Sequence, residues 1–166
     1  MVNDVSGFTF DPNLLFYCSK YKLPVCVMHM QGLPQNMQNN PKYENILIEV
    51  FDFLENQIAM LVKAGVSKDH IIADVGIGFG KNLKHNLTLI KNISLFHGLG
   101  VPLLLGVSRK SIISNVAKAE KPSDRVHGSI SLAISALGQG VQLFRVHDVA
   151  ETKQAFDLWV AVNFGD

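Results

Sequence analysis

The sequence predicts an α/β fold built on a parallel sheet. Short apolar and β-branched runs alternate five times with amphipathic helical segments along the 166 residues. Apolar residues make up 48% of the chain and charged residues 17%, below the roughly one quarter that is charged in an average globular protein. Such a composition suits strands that are buried on both faces. The pattern does not distinguish a barrel from an open, doubly wound sheet.

Five strands are predicted, and helical sequence follows each of them. The strands lie at residues 2–5, 24–28, 70–74, 101–106 and 141–147. Helices are expected from residue 11, over residues 43–64 and 85–97, over 110–139 with a break near Pro122, and from 148 to 163. Asp11 and Asp148 are placed to cap the first and last helices, and Gly65 to end the second in a left-handed conformation. We expect one domain.

Composition also excludes several classes of partner. A net charge of +1 gives no general attraction to nucleic acid or to an anionic membrane. The longest apolar stretch, residues 101–107, contains a proline and a glycine and is too short to span a bilayer. No leader segment is visible, and Cys18 and Cys26 lack metal-binding spacing, which predicts reduced core residues. We expect a soluble, cytoplasmic protein without a nucleic-acid or membrane partner.

Chemically distinctive side chains lie at the carboxyl end of every predicted strand. They are Asn3, Asp4, His29, Asp74, Ser108, Arg109, Lys110, Arg145 and His147. In parallel α/β folds these strand ends share one face, and ligands bind there. Of these groups we expect one carboxylate, one amide, three cations and two histidines to meet around one cavity.

Each of the charged groups has a structural alternative to a binding role. Asp74 either caps the turn that follows it or accepts hydrogen bonds from paired N–H donors, such as those of an aminopyrimidine ring. Arg109 and Lys110 are either a solvated pair or, because cations oppose the dipole at a helix start, partners for an anion or a carbonyl oxygen. Arg145 and His147 either pair with Asp148 or clamp a phosphate.

The glycine-rich segment at residues 76–81 fits neither of two common nucleotide-binding motifs. A dinucleotide fingerprint requires glycine at position 81, and a P-loop requires glycine at 75 and Ser or Thr at 82. The remaining interpretation is a backbone that approaches a flat ligand closely, with Phe79 as an exposed aromatic platform. Met28 either packs in the core or lines an apolar pocket.

Five segments together resemble the dihydropteroate synthase family. They are Asn-Asp at 3–4, Met-His-Met-Gln-Gly at 28–32, Asp-Val-Gly-Ile-Gly-Phe-Gly-Lys at 74–81, Gly-Val-Ser-Arg-Lys-Ser at 106–111 and Arg-Val-His-Asp at 145–148. The resemblance implies a partial TIM (β/α)₈ barrel of about five βα units, equivalent to family strands four to eight. Residues 1–166 would then form a single pterin-binding domain that lacks the first three strands.

The resemblance also implies a transferase of folate biosynthesis that sulfonamide drugs target. Such an enzyme condenses 7,8-dihydropterin-6-ylmethyl diphosphate with para-aminobenzoate, giving 7,8-dihydropteroate and diphosphate with Mg²⁺ as cofactor. The implied pterin contacts are Asn3, Met28, Asp74, Gly106 and Lys110. The implied diphosphate contacts are Asn3, Arg145 and His147. Phe79, Ser108 and Lys110 would border para-aminobenzoate, and the implied catalytic residues are Lys110, Arg145 and His147.

The match departs from the family pattern in two ways. Val75 stands where the family usually has proline, and the family's magnesium-binding asparagine belongs to the absent first strand, so no metal ligand is expected here. Five strands cannot close an eight-stranded barrel, and open edges favour association. Three hypotheses follow: a piece of a normal enzyme, a split enzyme complemented by an N-terminal fragment, or a non-catalytic half-barrel that self-associates. We expect the isolated chain to be inactive, and a homodimer or a complementing fragment as its protein partner.

Overall fold

A five-stranded parallel sheet forms the centre of the computed structural model, which describes residues 1–165 except for the side chain of Pro12. The strands are Val2–Asp4 (β1), Val25–Met28 (β2), Ile71–Asp74 (β3), Leu103–Leu105 (β4) and Leu143–Phe144 (β5). They lie side by side in chain order, and Met28 stands opposite Asp74 in the register of β2 and β3.

Helical segments connect each strand to the next. The α-helices are Pro12–Lys20 (α1), Ile46–Lys63 (α2), Leu83–Lys91 (α3), Ser111–Ala117 (α4), Val126–Leu137 (α5) and Val149–Phe164 (α6). Short 3₁₀ segments occupy Lys68–His70, Ile93–Leu99 and Pro122–Arg125. No helix among the described residues is long and apolar enough to cross a bilayer.

The strand order settles the choice between the two predicted sheet types. A doubly wound sheet reverses its order at a switch point, whereas these five strands advance in one direction. Right-handed connections in a single direction place the helices on one face. Accordingly, Val25, Ala73 and Leu103 belong to the main apolar core, whereas their neighbours Met28 and Asp74 lie outside it. The parallel α/β prediction is confirmed, and the winding is that of a barrel.

Both outer strands have an unpaired edge within the described chain. β1 pairs with β2 alone, and β5 pairs with β4 alone. Backbone N–H and C=O groups along such edges remain open to another strand. The two free cysteines, Cys18 and Cys26, are buried as predicted.

The predicted third helix, residues 85–97, is two segments. α3 ends at Lys91, and the 3₁₀ segment Ile93–Leu99 follows. Asn92 causes the break, because its side-chain amide donates to the Thr88 carbonyl at 2.8 Å while its backbone φ of −118° leaves the helical range.

The fifth strand is also shorter than the predicted range of 141–147. The side chain of Gln142 accepts a hydrogen bond from the Leu103 amide at 2.8 Å, where strand backbone would otherwise pair. Pairing resumes at Leu143 and continues beyond β5 through the Arg145 amide, which donates to the Leu105 carbonyl at 3.0 Å. This bond aligns Arg145 with the end of β4.

Helix caps follow the predicted residues with one exception. The Asp11 carboxylate accepts from the Asn13 amide at 2.9 Å, and Gly65 has a φ of +95°. α2 begins at Ile46, not at residue 43, because the Asn45 side chain caps it. Asp148 precedes α6 but makes no capping hydrogen bond, because its carboxylate binds Arg109 instead.

Leu54 tests whether the apolar face of α2 stabilises the sheet. Its side chain is fully buried, whereas Ile48 on the same helix is 56% exposed. We expect Leu54→Ala to lower the free energy of unfolding by about 2–5 kcal/mol, because it leaves a cavity in the core. The control Ile48→Ala should change it by less than about 0.5 kcal/mol. Chemical denaturation followed by circular dichroism measures both values, and equal effects would contradict the assigned orientation of α2.

Candidate functional site

Asp74 is the buried acid at the mouth of the sheet. It ends β3, its side chain is 2% exposed, and its Oδ1 accepts a hydrogen bond from the Gly76 amide at 2.8 Å. Burial raises the pKa of Asp74, while the Gly76 N–H and the charges of Lys110, Arg145 and Lys81 oppose that rise. Oδ1 thus caps the turn, as one alternative predicted. Oδ2 accepts no hydrogen bond from the described residues, which leaves it available to a ligand.

Lys110 lies beside Asp74 and is not a solvated side chain. Its Nζ donates to the Ile77 carbonyl and lies 4.9 Å from the centre of the Phe79 ring. Burial lowers the pKa of Lys110 to about 8, with Asp74 raising it and Arg145 lowering it further. Phe79 is half-buried under this cation, whereas the sequence predicted an exposed platform.

Arg145 provides the second cation of the site. Its side chain is exposed, and a methyl group placed on Gly106 would lie 2.9 Å from Nη2 of Arg145. The guanidinium therefore passes directly over a residue that has no side chain. It makes no ion pair or hydrogen bond with another described residue, so its donors are available to an anion.

His147 is oriented by Ser108. The Ser108 hydroxyl lies 3.0 Å from Nδ1 of His147 and accepts from the His147 amide at 3.1 Å. Ser108 is 6% exposed, whereas His147 is exposed to solvent. The loop after β4 thus fixes both backbone and ring of the residue that follows β5.

Arg109 does not join this group, and its predicted place in the cavity is wrong. Its guanidinium makes a two-pronged ion pair with Asp148, at 3.1 and 2.5 Å. The Arg109 amide donates to Ser129, and Arg109 adopts a φ of +59°, which turns the side chain toward Asp148. Arg109 lowers the pKa of Asp148. The alternative in which Arg145 and His147 pair with Asp148 is wrong for the same reason.

His29 is also absent from the cavity, contrary to expectation. It follows Met28, so its side chain points to the opposite side of the strand. The ring is 6% exposed and packs edge-on against Phe53 with centroids 4.9 Å apart. Burial and the nearby charge of Lys81 lower the pKa of His29 to about 3, so its imidazole is neutral near pH 7.

Lys81 is the residue that sequence reasoning undervalued. It is 2% exposed, and its Nζ lies 2.8 Å from Nδ1 of His29 and donates to the carbonyls of Gly76 and Phe79 at 3.0 and 2.9 Å. Burial lowers the pKa of Lys81 to about 7. A lysine that closes a three-glycine turn was the available signal, since such a turn leaves carbonyls without strand partners.

The two residues predicted at the first strand have different environments. Asn3 is exposed and stands opposite Cys26, on the face that carries Met28 and Asp74. Asp4 points to the other face, where it accepts hydrogen bonds from Ser6 and from the Phe8 amide. Met28 is 1% exposed and stands opposite Asp74 in the register of β2 and β3.

Cavities and possible metal ligands further delimit the site. A cavity of about 100 Å³ lies between the glycine turn and α4, with Gly78, Lys81 and Lys110 in its wall. A larger depression of about 960 Å³ lies at the start of α2 and includes neither Asp74 nor Arg145. Within the described part of the chain, no three His, Cys, Asp or Glu side chains are grouped to hold a metal ion. The described residues therefore include no Mg²⁺ site built from three such side chains.

Comparisons with known proteins agree on one family. A model described as "Pterin binding enzyme" matches residues 1–147. The dihydropteroate synthase of Haemophilus influenzae is 43% identical over 162 residues, which are 97% of this chain and 58% of that protein. The enzyme of Escherichia coli is 43% identical over 155 residues, which are 93% and 54% of the respective chains. This chain thus spans about half the length of the curated relatives that it matches.

Solved structures give the same result for the fold. The Yersinia pestis dihydropteroate synthase, in a sulfonamide drug complex, superposes with a TM-score of 0.94 at 40% identity, over 99% of this chain and 59% of that one. The Thermus thermophilus enzyme in complex with 4-aminobenzoate superposes with a TM-score of 0.91 at 37% identity, over 96% and 64%. The predicted five-unit portion of a (β/α)₈ barrel is confirmed.

The buried pair of His29 and Lys81 predicts a stability change in acid. Because the pKa of His29 is lowered to about 3 from an unfolded value of about 6.5, the unfolded chain binds more protons between these values. The stabilisation that neutral His29 gives to the folded state is complete above pH 6.5 and is lost as the pH falls toward 3. We expect the stability advantage of the wild type over His29→Gln to shrink from pH 7 to pH 4, as measured by urea denaturation. Parallel profiles for the two proteins would contradict the assignment.

Proposed function

The chain belongs to the pterin-binding enzyme family, and from this premise we propose that it carries the pterin and diphosphate subsites of a dihydropteroate synthase. The proposed reaction joins 7,8-dihydropterin-6-ylmethyl diphosphate to para-aminobenzoate and releases diphosphate, a step of folate biosynthesis. One observation carries the proposal: Asp74, Lys110 and Arg145 come from the ends of three neighbouring strands and lie close enough for their charges to affect one another.

The proposed pterin subsite is the hollow between Asp74 and Lys110. An aminopyrimidine ring presents adjacent N–H donors, and Asp74 Oδ2 is an acceptor that no described residue uses. Lys110 would donate to the ring's acceptor atoms from the opposite side, and Met28 and Gly106 would flank the ring. Asn3 would complete this slot on the face of β1 that carries Met28 in the neighbouring strand. Burial strengthens the polar contacts of Asp74 and Lys110.

The proposed diphosphate subsite consists of Arg145 and His147, with Asn3 at its border. The Arg145 guanidinium offers parallel donors in the geometry that phosphate oxygens accept. Ser108 would hold the imidazole of His147 toward the same anion. In the proposed reaction these donors neutralise charge as the methylene–oxygen bond breaks and its electron pair leaves on diphosphate.

Para-aminobenzoate would approach along Phe79, Ser108 and Lys110. Its amine lone pair forms the new carbon–nitrogen bond at the pterin methylene, and the amine proton passes to solvent. An arylamine is neutral near pH 7, so positioning contributes more than a strong general base. The Thermus thermophilus relative was solved with 4-aminobenzoate and the Yersinia pestis relative with a sulfonamide drug, which supports the same ligand class and drug target for this chain.

We further propose that the reaction uses Mg²⁺ and a second polypeptide, neither of which belongs to the described residues. No three His, Cys, Asp or Glu side chains are grouped within residues 1–165, and we propose that a protein ligand for Mg²⁺ comes from a segment equivalent to the unmatched length of the relatives. That segment would also pair with the open edges of β1 and β5. A homodimer is proposed as well, because α6 exposes Leu158, Val162 and Phe164.

A non-catalytic half-barrel is the competing proposal. The two unpaired sheet edges favour it, because they allow self-association without completing the site. Under this alternative the chain binds a pterin at most. Ligand binding and complementation separate the two proposals.

Binding measurements test the two subsites separately. We expect Asp74→Asn to weaken dihydropterin-6-ylmethyl diphosphate binding about tenfold or more, because a carboxylate acceptor is lost, while inorganic diphosphate binding changes little. Arg145→Ala should weaken both ligands. Isothermal titration calorimetry gives the dissociation constants, with the exposed Asp69→Asn as the matched control. Unchanged affinity for both ligands in both site variants would exclude this location.

Complementation tests catalysis. The chain alone should show little or no synthase turnover, because it spans only 58% and 54% of the Haemophilus influenzae and Escherichia coli enzymes. Adding a polypeptide with the first three βα units of a related synthase should restore dihydropteroate formation, measured with radiolabelled para-aminobenzoate. Lys110→Ala in the same mixture is the control. Turnover by the chain alone above this control would contradict the expectation, and binding without rescue would favour the half-barrel.

A further inference from the structure

We propose that Lys81 is a positioning residue of the pterin subsite: its buried amine holds the glycine turn so that Asp74, Phe79 and Lys110 face one ligand. The ligand-dependent part of this inference rests on the proposed function. The geometric part does not, because it concerns contacts within the chain. Lys81 has 2% of its surface exposed and acts through its neighbours.

Three short contacts match the three N–H bonds of an ammonium group. They join Nζ to the carbonyls of Gly76 and Phe79 and to Nδ1 of His29, at 3.0, 2.9 and 2.8 Å. A fourth acceptor, the His29 carbonyl, is farther away at 3.3 Å. Nδ1 of His29 then accepts, so the imidazole proton lies on Nε2. A buried carbonyl left without such a donor destabilises the fold.

These contacts join two loops that are already packed backbone to backbone. A methyl group on Gly76 would lie 1.9 Å from the His29 carbonyl oxygen, and one on Gly80 would lie 2.2 Å from that of Gln31. The turn after β3 therefore lies against the loop after β2 without any side chain between them. Lys81 contributes polar bonds across this interface, since it contacts His29 on one side and Gly76 on the other. The Gln38 amide and the Tyr43 hydroxyl add bonds farther along the turn, to the carbonyls of Gly78 and Gly80.

The turn transmits this restraint to the ligand-facing groups. Gly76, whose carbonyl binds Lys81, donates its amide to Asp74 Oδ1 at 2.8 Å. Phe79, whose carbonyl also binds Lys81, carries the ring that lies under Lys110. Loss of the amine would therefore release the acid and the aromatic ring together, and Arg145, which stands on another strand end, would keep its place.

The titratable groups around Lys81 come from four elements. Asp74 lies at the end of β3, Lys110 at the start of α4, His29 after β2 and His85 on α3. Asp74 is the single acid among them, and it favours the ammonium form, while burial and the charge of Lys110 favour the neutral amine. A neutral amine has two N–H bonds and cannot supply all three acceptors at once.

Lys81→Met in the full 166-residue chain tests the inference, with the exposed Lys84→Met as the matched control. We expect the variant to bind dihydropterin-6-ylmethyl diphosphate at least about tenfold more weakly. Binding of inorganic diphosphate should change less than about twofold, because Arg145 does not depend on the turn. Unchanged dihydropterin affinity, or an equal loss for both probes, would overturn the proposal.

Histidine ¹⁵N spectra supply a readout that needs no ligand. In the wild type, Nδ1 of His29 should resonate as an unprotonated acceptor and Nε2 as a protonated nitrogen, and Lys81→Met should remove this preference. The opposite tautomer in the wild type would overturn the proposal even if the variant fails to fold. Failure of the wild type to bind either probe, with the expected tautomer present, would reject the proposed function and leave the positioning of the turn supported.

Discussion

The burial of one carboxylate, Asp74, is the constraint on which the rest of the site depends. An ionised acid in a poorly hydrated position requires donors or compensating charge. The chain supplies a turn amide from Gly76 and three cations from the strand ends or the following turn, Lys81, Lys110 and Arg145. Each cation is held differently. Backbone carbonyls surround Lys81, the face of Phe79 lies against Lys110, and Arg145 passes over Gly106. The site is therefore an electrostatic arrangement in which the buried acid and the cations depend on one another.

Local patterns predicted the fold well because the buried strands of a parallel sheet appear in the sequence as short apolar runs. The positions of all five strands follow from apolar runs, and their polar ends identified Asp74, Lys110 and Arg145. The choice between a barrel and a doubly wound sheet could not be inferred in this way, since apolar runs carry no information about which strands are neighbours in the sheet. The resemblance supplied it, and the chain-order sheet and the superposed relatives confirmed it.

The errors in the site have a common physical origin. Arg109 and His29 both follow strands. The backbone of Arg109 takes a left-handed conformation, and His29 lies on the side of the strand opposite to Met28. Neither property is visible in residue type. Lys81 was undervalued for the converse reason: lysine is usually exposed, and the carbonyls that hold it inside exist only once the turn has formed.

The passage of Arg145 over Gly106 ties two distant positions of the chain to each other. The space that a side chain at 106 would occupy already belongs to a guanidinium from the next strand. Substitutions at the two positions should consequently be coupled in double-mutant cycles, with a smaller residue at 145 making alanine at 106 less costly. Among related sequences, the same packing would appear as covariation between a glycine and an arginine 39 residues apart in this chain.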